Sequence, residues 1–170
     1  MLEVTDDSGF LAVVVPSTYP SFVDRKWEFD QLFEHFRQQM SQQSLLIWGT
    51  GLEGFWKVEV RVGGSSVHGF REVSGPLRVV GGEVLVTNYE SLTMAAQFED
   101  VRMPETHEQN QLIQLADGGY RCRIVQMFDP EEQERAKDRD FDFVVELTRT
   151  NSPPESWSKV PWFDDHGDGK

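Results

Sequence analysis

FWKVEVRV, Phe55 to Val62, places Trp56, Val58, Val60 and Val62 at one parity and Lys57, Glu59 and Arg61 at the other. That two-residue period is the signature of a strand with one face on a core and one face in water. Working outward, the same kind of segment recurs. LLIW at Leu45 to Trp48 stops at Gly49-Thr50-Gly51, and FLAVVV at Phe10 to Val15 is a continuous apolar run ended by Pro16, as for a strand buried on both faces. After the Gly63-Gly64 turn a strand is expected near Val67 to Val73, broken by Gly75-Pro76. PLRVVGGEVLV, Pro76 to Val86, reads as a hairpin closed at Gly81-Gly82, where two glycines supply the positive φ angles of a tight turn. Gln111 to Leu115 and Tyr120 to Phe128 read as a second hairpin around Asp117-Gly118-Gly119, and Phe141 to Leu147 as a closing strand.

One segment carries a different period. Phe29, Leu32, Phe33, Phe36 and Met40 fall on one face of a helix spanning Asp24 to Gln42, with Ser21 or Asp24 as its cap. Leu92, Met94, Ala96 and Phe98 alternate with Thr93, Ala95 and Gln97, which favours another strand while the Ala95-Ala96 pair leaves a helix open, and Glu99 to Asn110 reads as a long loop. About nine or ten strands at sandwich-like spacing with one strong helix make the chain mainly β, a two-layer antiparallel β-sandwich with an amphipathic helix near the N-terminus. Residues 1–150 are expected as a single sandwich domain and 151–170 as a loosely packed tail, parts of which Trp157, Trp162 and Phe163 can pin to the body.

The charge is the other dominant feature: 29 Asp+Glu against 16 Lys+Arg, a formal net charge of -13. Nucleic-acid binding depends on cationic side chains neutralising phosphates, so direct DNA or RNA binding is disfavoured. A basic protein would be attracted instead, although acidity also serves plain solubility. No apolar stretch is long enough to span a bilayer, no signal peptide is recognised, and the lone Cys122 forms no internal disulfide; a cytoplasmic protein is expected.

The chemical candidates do not assemble. Cys122 alternates with Arg121 and Arg123 and reads as a buried structural thiol. His35, His68, His107 and His166 form no compact ligand spacing, and Asp164, Asp165, His166 and Asp168 lack the order of a calcium loop, so no metal is assigned. Gly49-Thr50-Gly51-Leu52-Glu53-Gly54 matches GxGxxG, but a strand follows it where a phosphate-binding helix would be needed, and no cofactor is assigned. Adjacent acids such as Glu99-Asp100 and Glu131-Glu132 carry no opposed geometry. The chain is therefore read as non-enzymatic.

In order and spacing, FLAVVV, the Trp-containing helix, LLIW with FWKVEVRV, GPLRVVGGEVLV, ESLTMAAQF and GGYRCRIVQMF resemble the layout of the competence-protein-J-type nuclease inhibitors over residues 10–128. The resemblance implies a small intracellular β-rich inhibitor that pairs with a DNA-degrading enzyme. Residues 129–170 extend past the matching part, and no inhibitory residue transfers by motif. On this basis the leading reading is an inhibitor or immunity protein that neutralises a basic, nuclease-like partner. Its expected contacts are Glu131, Glu132, Glu134, Asp138 and Asp140, in the densest charged connection of the chain, where Arg135, Lys137 and Arg139 partly cancel the field. Two alternatives stay open: a small-ligand-binding or enzymatic sandwich with Trp48, Trp56, Tyr89 and Tyr120 lining a cavity, and an assembly module pairing through a sheet edge.

Overall fold

A computed structural model describes residues 1–132 and 139–163. The first half runs β1 (Leu2–Asp6), β2 (Phe10–Val14), α1 (Phe29–Ser41), β3 (Leu45–Gly49), β4 (Gly54–Val62) and β5 (Arg71–Val79). The second runs β6 (Glu83–Asn88), α2 (Tyr89–Gln97), a 3-10 turn (Thr106–Gln111), β7 (Leu112–Gln114), β8 (Gly118–Gln126) and β9 (Phe143–Arg149). The protein is mainly β, with a five-stranded sheet in the order β1-β4-β9-β8-β5 and a four-stranded sheet in the order β3-β2-β6-β7. The strand pairs are antiparallel except β4 with β9, which run parallel from Val58 opposite Phe143 to Val62 opposite Leu147. A parallel pair needs a long crossover, and here the whole stretch from β5 to β8 lies between its two strands.

The two sheets face each other. Trp48 of β3 meets Phe143 of β9 at 6.3 Å between ring centroids, and Phe143 meets Trp56 of β4 edge-on at 5.7 Å. The four-stranded sheet is covered on its other face by α1, against β3, and by α2, against β2 and β6. Burial on both faces explains why β2 and β3 are buried along their whole length and read as unbroken apolar runs. β4 keeps an outer face, so Trp56 and Val58 are buried while Phe55 and Lys57 are exposed.

The structure corrects several expectations, each for a local reason. Neither glycine turn closes a hairpin: β5 pairs with β8 and β6 with β2 and β7, so Gly81-Gly82 and Asp117-Gly118 are crossings between sheets. Gly81 and Gly82 do take φ of 89° and 75°, which fits the turn chemistry without fixing the partner. The two crossings are tied together, since the Gly82 amide donates to Asp117 Oδ1 at 2.8 Å and the Leu115 amide to the Gly82 carbonyl at 2.9 Å.

Gly75-Pro76 lies inside β5 instead of breaking it. β5 is an edge strand, where proline's missing donor is tolerated. A Cβ on Gly75 would stand 2.6 Å from Leu46 Cδ2 and 2.7 Å from Trp157 Cε2, so glycine admits the close approach of β3 and the C-terminal segment.

Leu92 to Phe98 belongs to helix α2 and its end, not to a strand. Ser91, Leu92, Ala95 and Ala96 form its buried stripe, and Asn88 Oδ1 caps it by accepting from the Ser91 amide at 2.9 Å. Helix α1 starts later than expected because the Val23 and Asp24 amides both donate to the Ala96 carbonyl, holding that stretch extended against α2. Glu28 therefore precedes the first turn in place of Ser21 or Asp24, and Gln31 Oε1 accepts from its amide at 3.4 Å. Part of the Glu99-to-Asn110 loop is the 3-10 turn, and β1 lies outside the elements read from sequence.

Candidate functional site

Four segments converge at one end of the sandwich: the β1–β2 turn, the β3–β4 loop, the start of the connection leaving β8, and the C-terminal stretch at Trp162 and Phe163. Ser8–Phe10, Gly49, Gly51–Glu53 and the two C-terminal aromatics line a groove of about 440 Å³. Asp6 organises its floor. Fully buried, it accepts through Oδ1 from the amides of Ser8, Gly9 and Phe10 at 3.0, 2.6 and 3.1 Å. Its Oδ2 accepts from Thr50 Oγ1 at 2.8 Å and Trp56 Nε1 at 3.1 Å. A short acidic side chain before Ser8-Gly9 suits this role, because it bonds the amides of the residues just after it and fixes the turn.

From Thr50 a polar line crosses to the groove wall. Gln126 Nε2 donates to the Thr50 carbonyl at 2.7 Å, and Arg71 Nε donates to Gln126 Oε1 at 2.6 Å. The Arg71 guanidinium lies over the Trp162 ring, 4.5 Å from its centroid. Burial lowers the Arg71 pKa from its ordinary value, and the charge of Asp129 opposes that shift. The Gly49 amide donates to the Pro161 carbonyl at 2.9 Å, and a Cβ on Gly49 would stand 2.6 Å from the Trp162 carbonyl oxygen. Phe163 packs on Phe10 and Phe33 at 5.0 and 5.4 Å. The C-terminal segment is thereby built into the groove.

The acidic connection starts at this groove. Pro130 stands where a Cβ on Gly51 would fall, 2.6 Å from it, and Asp129 Oδ1 accepts from the Glu131 amide at 2.9 Å. Glu131, Glu132 and Asp140 are exposed; Glu134 and Asp138 lie outside the described residues, as do Arg135 and Lys137. At the far end Arg139 turns inward, donating to Asp142 Oδ1 at 2.7 Å and lying 4.6 Å from the Phe128 ring centroid. Asp7 and Glu53 are exposed on the neighbouring turns. The groove thus carries Glu53 in its lining, Asp7 next to its Ser8, and the exposed Glu131 and Glu132 just past the Pro130 that abuts Gly51.

The aromatic residues expected around a cavity are placed otherwise. Trp48 and Trp56 are fully buried core residues, and Tyr120 is buried with its hydroxyl donating to the Ala116 carbonyl at 2.7 Å. Tyr89 is half-buried at 5.3 Å from Phe10, behind the groove. Cys122 is fully buried, and burial pushes its thiol well above the ordinary value, away from the thiolate a nucleophile needs. His35 is half-buried against Tyr19, and burial lowers its pKa against an opposing hydrogen bond with the Pro20 backbone. His68 and His107 are exposed, and His166 with Asp164, Asp165 and Asp168 lies outside the described residues. Among the described residues no three His, Cys, Asp or Glu side chains gather as a metal site, and no helix is long and apolar enough to cross a membrane.

No protein-family model matches the chain, and no curated protein matches its sequence. Two solved structures share the fold. One is described as crocagin biosynthetic gene J, with a TM-score of 0.56 and 15% identity, covering 87% of this chain and 93% of that one. The other is ComJ, inhibitor of the DNA degrading activity of NucA, from Bacillus subtilis, with a TM-score of 0.53 and 10% identity, covering 88% of this chain and 94% of that one. The chain therefore has the fold of the competence-protein-J-type inhibitor that its element layout resembles.

Proposed function

We propose that this chain is a non-enzymatic inhibitor of a DNA-degrading enzyme, acting in the cytoplasm as an immunity-type partner of a basic nuclease. The observation that carries the reading is the groove lined by Glu53 and by Ser8 next to Asp7, with exposed Glu131 and Glu132 following the Pro130 that abuts Gly51, on a fold similar to ComJ. An enzyme that cleaves DNA presents cations where the phosphates bind. Carboxylates on a rigid scaffold fit those cations without the rest of a nucleic acid, and the net charge of -13 speeds the encounter. Glu134 and Asp138 extend the same connection and belong to the proposed contact set.

The test is DNA cleavage by the nuclease encoded beside this chain, with the protein titrated in. Inhibition that is complete near one equivalent, with a complex recovered by pulldown, is expected. Undiminished cleavage at a large excess, with no complex, rejects the reading.

A second reading is ligand binding, since a groove of about 440 Å³ falls in the size range of small-molecule sites and the other similar structure comes from a biosynthetic system. With Trp48, Trp56 and Tyr120 taken up by the core, such a ligand would sit against Phe10, Trp162 and Phe163.

A further inference from the structure

We infer that Arg78, Arg121 and Arg149, at the end of the sandwich away from the groove, form a recognition surface for an acidic segment of another protein. The surface is separate from the groove and from whatever binds there. β8 runs from Gly118 to Gln126, so its start lies about 27 Å from the Gln126–Arg71 line at the rise of a strand. At that start three strands bring arginines together. Arg78 of β5 pairs with Gly119, Arg121 of β8 lies opposite Pro76 and Thr148, and Arg149 of β9 lies opposite Tyr120.

Arg78 and Arg121 alternate with the buried Leu77, Val79, Tyr120 and Cys122, so both point outward from one face of the sheet. Arg149 comes in at the rim, where its Nη2 donates to the Asp117 carbonyl and stands 2.7 Å from where a Cβ on Gly118 would fall. Arg78 Nη1 stands 3.7 Å from the same point on Gly119. All three arginines are exposed, and among the described residues none is within ion-pairing distance of a carboxylate. Arg123, two residues further along β8, shows the contrast, because Glu72 and Glu146 hold it on both sides. A chain with 29 acidic residues thus leaves this group without a counter-charge. Like charges that neighbour one another on a sheet repel until an anion arrives.

Carboxylates suit the surface better than phosphates. The net charge of -13 opposes any anion in proportion to its charge, and a phosphate group or a nucleic-acid strand carries more of it than a carboxylate does. Spacing selects as well. Arg78 and Arg121 are diagonal neighbours, about 7–8 Å apart at Cβ, and alternate residues of an extended segment are about 6.8 Å apart. The edge of β5 is taken, since the Arg78 amide donates to the Gln43 carbonyl and the Ser74 carbonyl accepts from Trp157 Nε1. The segment therefore lies across the face, with acids at alternate residues each held in the fork of one guanidinium.

The experiment titrates the intact protein with acetyl-Glu-Thr-Glu-Thr-Glu-amide, with its glutamine counterpart, with inorganic phosphate and with an oligothymidylate, following heat of binding. The glutamate peptide should bind at least about fivefold more tightly than the glutamine peptide, the product of two exposed ion pairs of ordinary strength. Arg78→Gln with Arg121→Gln should abolish that preference with unchanged circular dichroism. Arg25→Gln with Lys26→Gln, which removes the same charge from another exposed site, should keep it.

Equal binding of the two peptides, binding of neither at millimolar concentration, or the same loss in both double variants overturns the inference. Tighter binding of phosphate or of the oligothymidylate than of the glutamate peptide overturns it too. So does salt-sensitive self-association of the wild type that the arginine variant loses, which would put a second copy of the chain in the partner's place.

Discussion

The guanidinium of Arg71 stacks over the indole of Trp162 at 4.5 Å, joining the edge strand β5 to the C-terminal segment that walls the groove. A cation over a tryptophan face is worth about 0.5–2 kcal/mol depending on its exposure. Trp162→Ala should therefore loosen the segment from Pro161 onward more than it lowers global stability. The expected result is faster proteolytic cutting beyond Trp157, a small drop in melting temperature and weaker binding at the groove. Cutting at an unchanged rate would mean that the Pro161–Gly49 hydrogen bond and the packing of Phe163 on Phe10 and Phe33 hold the segment without the Arg71–Trp162 contact.

Asp6 is the larger structural commitment. It is buried and accepts five hydrogen bonds from the β1–β2 turn, Thr50 and Trp56. Asp6→Ala strands those donors in the interior, at a cost of about 3–5 kcal/mol by the usual penalty for leaving buried polar groups unpaired. Asp6→Asn, which keeps acceptor oxygen on one side, should cost less. Urea unfolding of the three proteins measures the order, and a loss below about 1 kcal/mol for Asp6→Ala would contradict the assignment.

Acid sensitivity follows from Glu146 on the outer face of the five-stranded sheet. Burial pushes its pKa up, but hydrogen bonds from Ser65 and Arg123 and the charge of Arg123 prevail, holding the carboxyl below its ordinary value. Arg123 Nη1 donates to Glu146 Oε1 at 2.9 Å while its Nε donates to Glu72 Oε2 at 2.9 Å. A group whose folded pKa is depressed contributes its full stabilisation above the unfolded pKa of about 4.3 and loses it as pH falls through the lower folded value. Wild type should exceed Glu146→Gln by about 2 kcal/mol at pH 7, with the gap closing below about pH 4. A gap independent of pH would show that Glu146 acts by packing alone.

Gly75 tests the close approach of the C-terminal segment to β5. Trp157 Nε1 donates to the Ser74 carbonyl at 2.8 Å, and a Cβ at Gly75 would press on both Leu46 and Trp157. Gly75→Val should cost about 1–3 kcal/mol by overpacking and shift the Trp157 emission. An unperturbed spectrum and melting curve would contradict the contact.

What the sequence made legible was period, and what it hid was pairing. The alternation of Phe55 to Val62 and the apolar stripe of Phe29 to Met40 depend on neighbours along the chain, and both appear in the structure as strand and helix. Gly81-Gly82 and Asp117-Gly118 announced turns correctly as chemistry, but a turn residue fixes a backbone angle and not the strand that follows as a partner. Leu92, Met94, Ala96 and Phe98 imitated the alternation of a strand, but Met94 and Phe98 are exposed and the Ala95-Ala96 pair, which had left a helix open, sits on the buried side of α2.

The groove was hidden for a different reason. Asp6, Arg71, Gln126 and Trp162 are spread across the chain and meet only through β1, β5, β8 and the C-terminal segment. Glu131 and Glu132 were legible as acidic connection, while the groove beside them depends on Gly49 and Gly51 admitting Trp162 and Pro130. Only the signal at Asp6-Asp7-Ser8-Gly9, an acidic residue before a small turn, was open to reading.

The central claim is that the acidic groove end engages a basic DNA-degrading enzyme, and charge reversal tests it most directly. Glu131, Glu132 and Asp140 are exposed, so Glu131→Lys, Glu132→Lys and Asp140→Lys together should leave the melting temperature nearly unchanged. The measurement is the inhibition constant against the partner nuclease for wild type and triple variant at low and high salt. The account predicts a loss of at least about a hundredfold at low salt, mostly in the association rate, narrowing as salt rises. Equal inhibition by the two proteins at every salt concentration would contradict it.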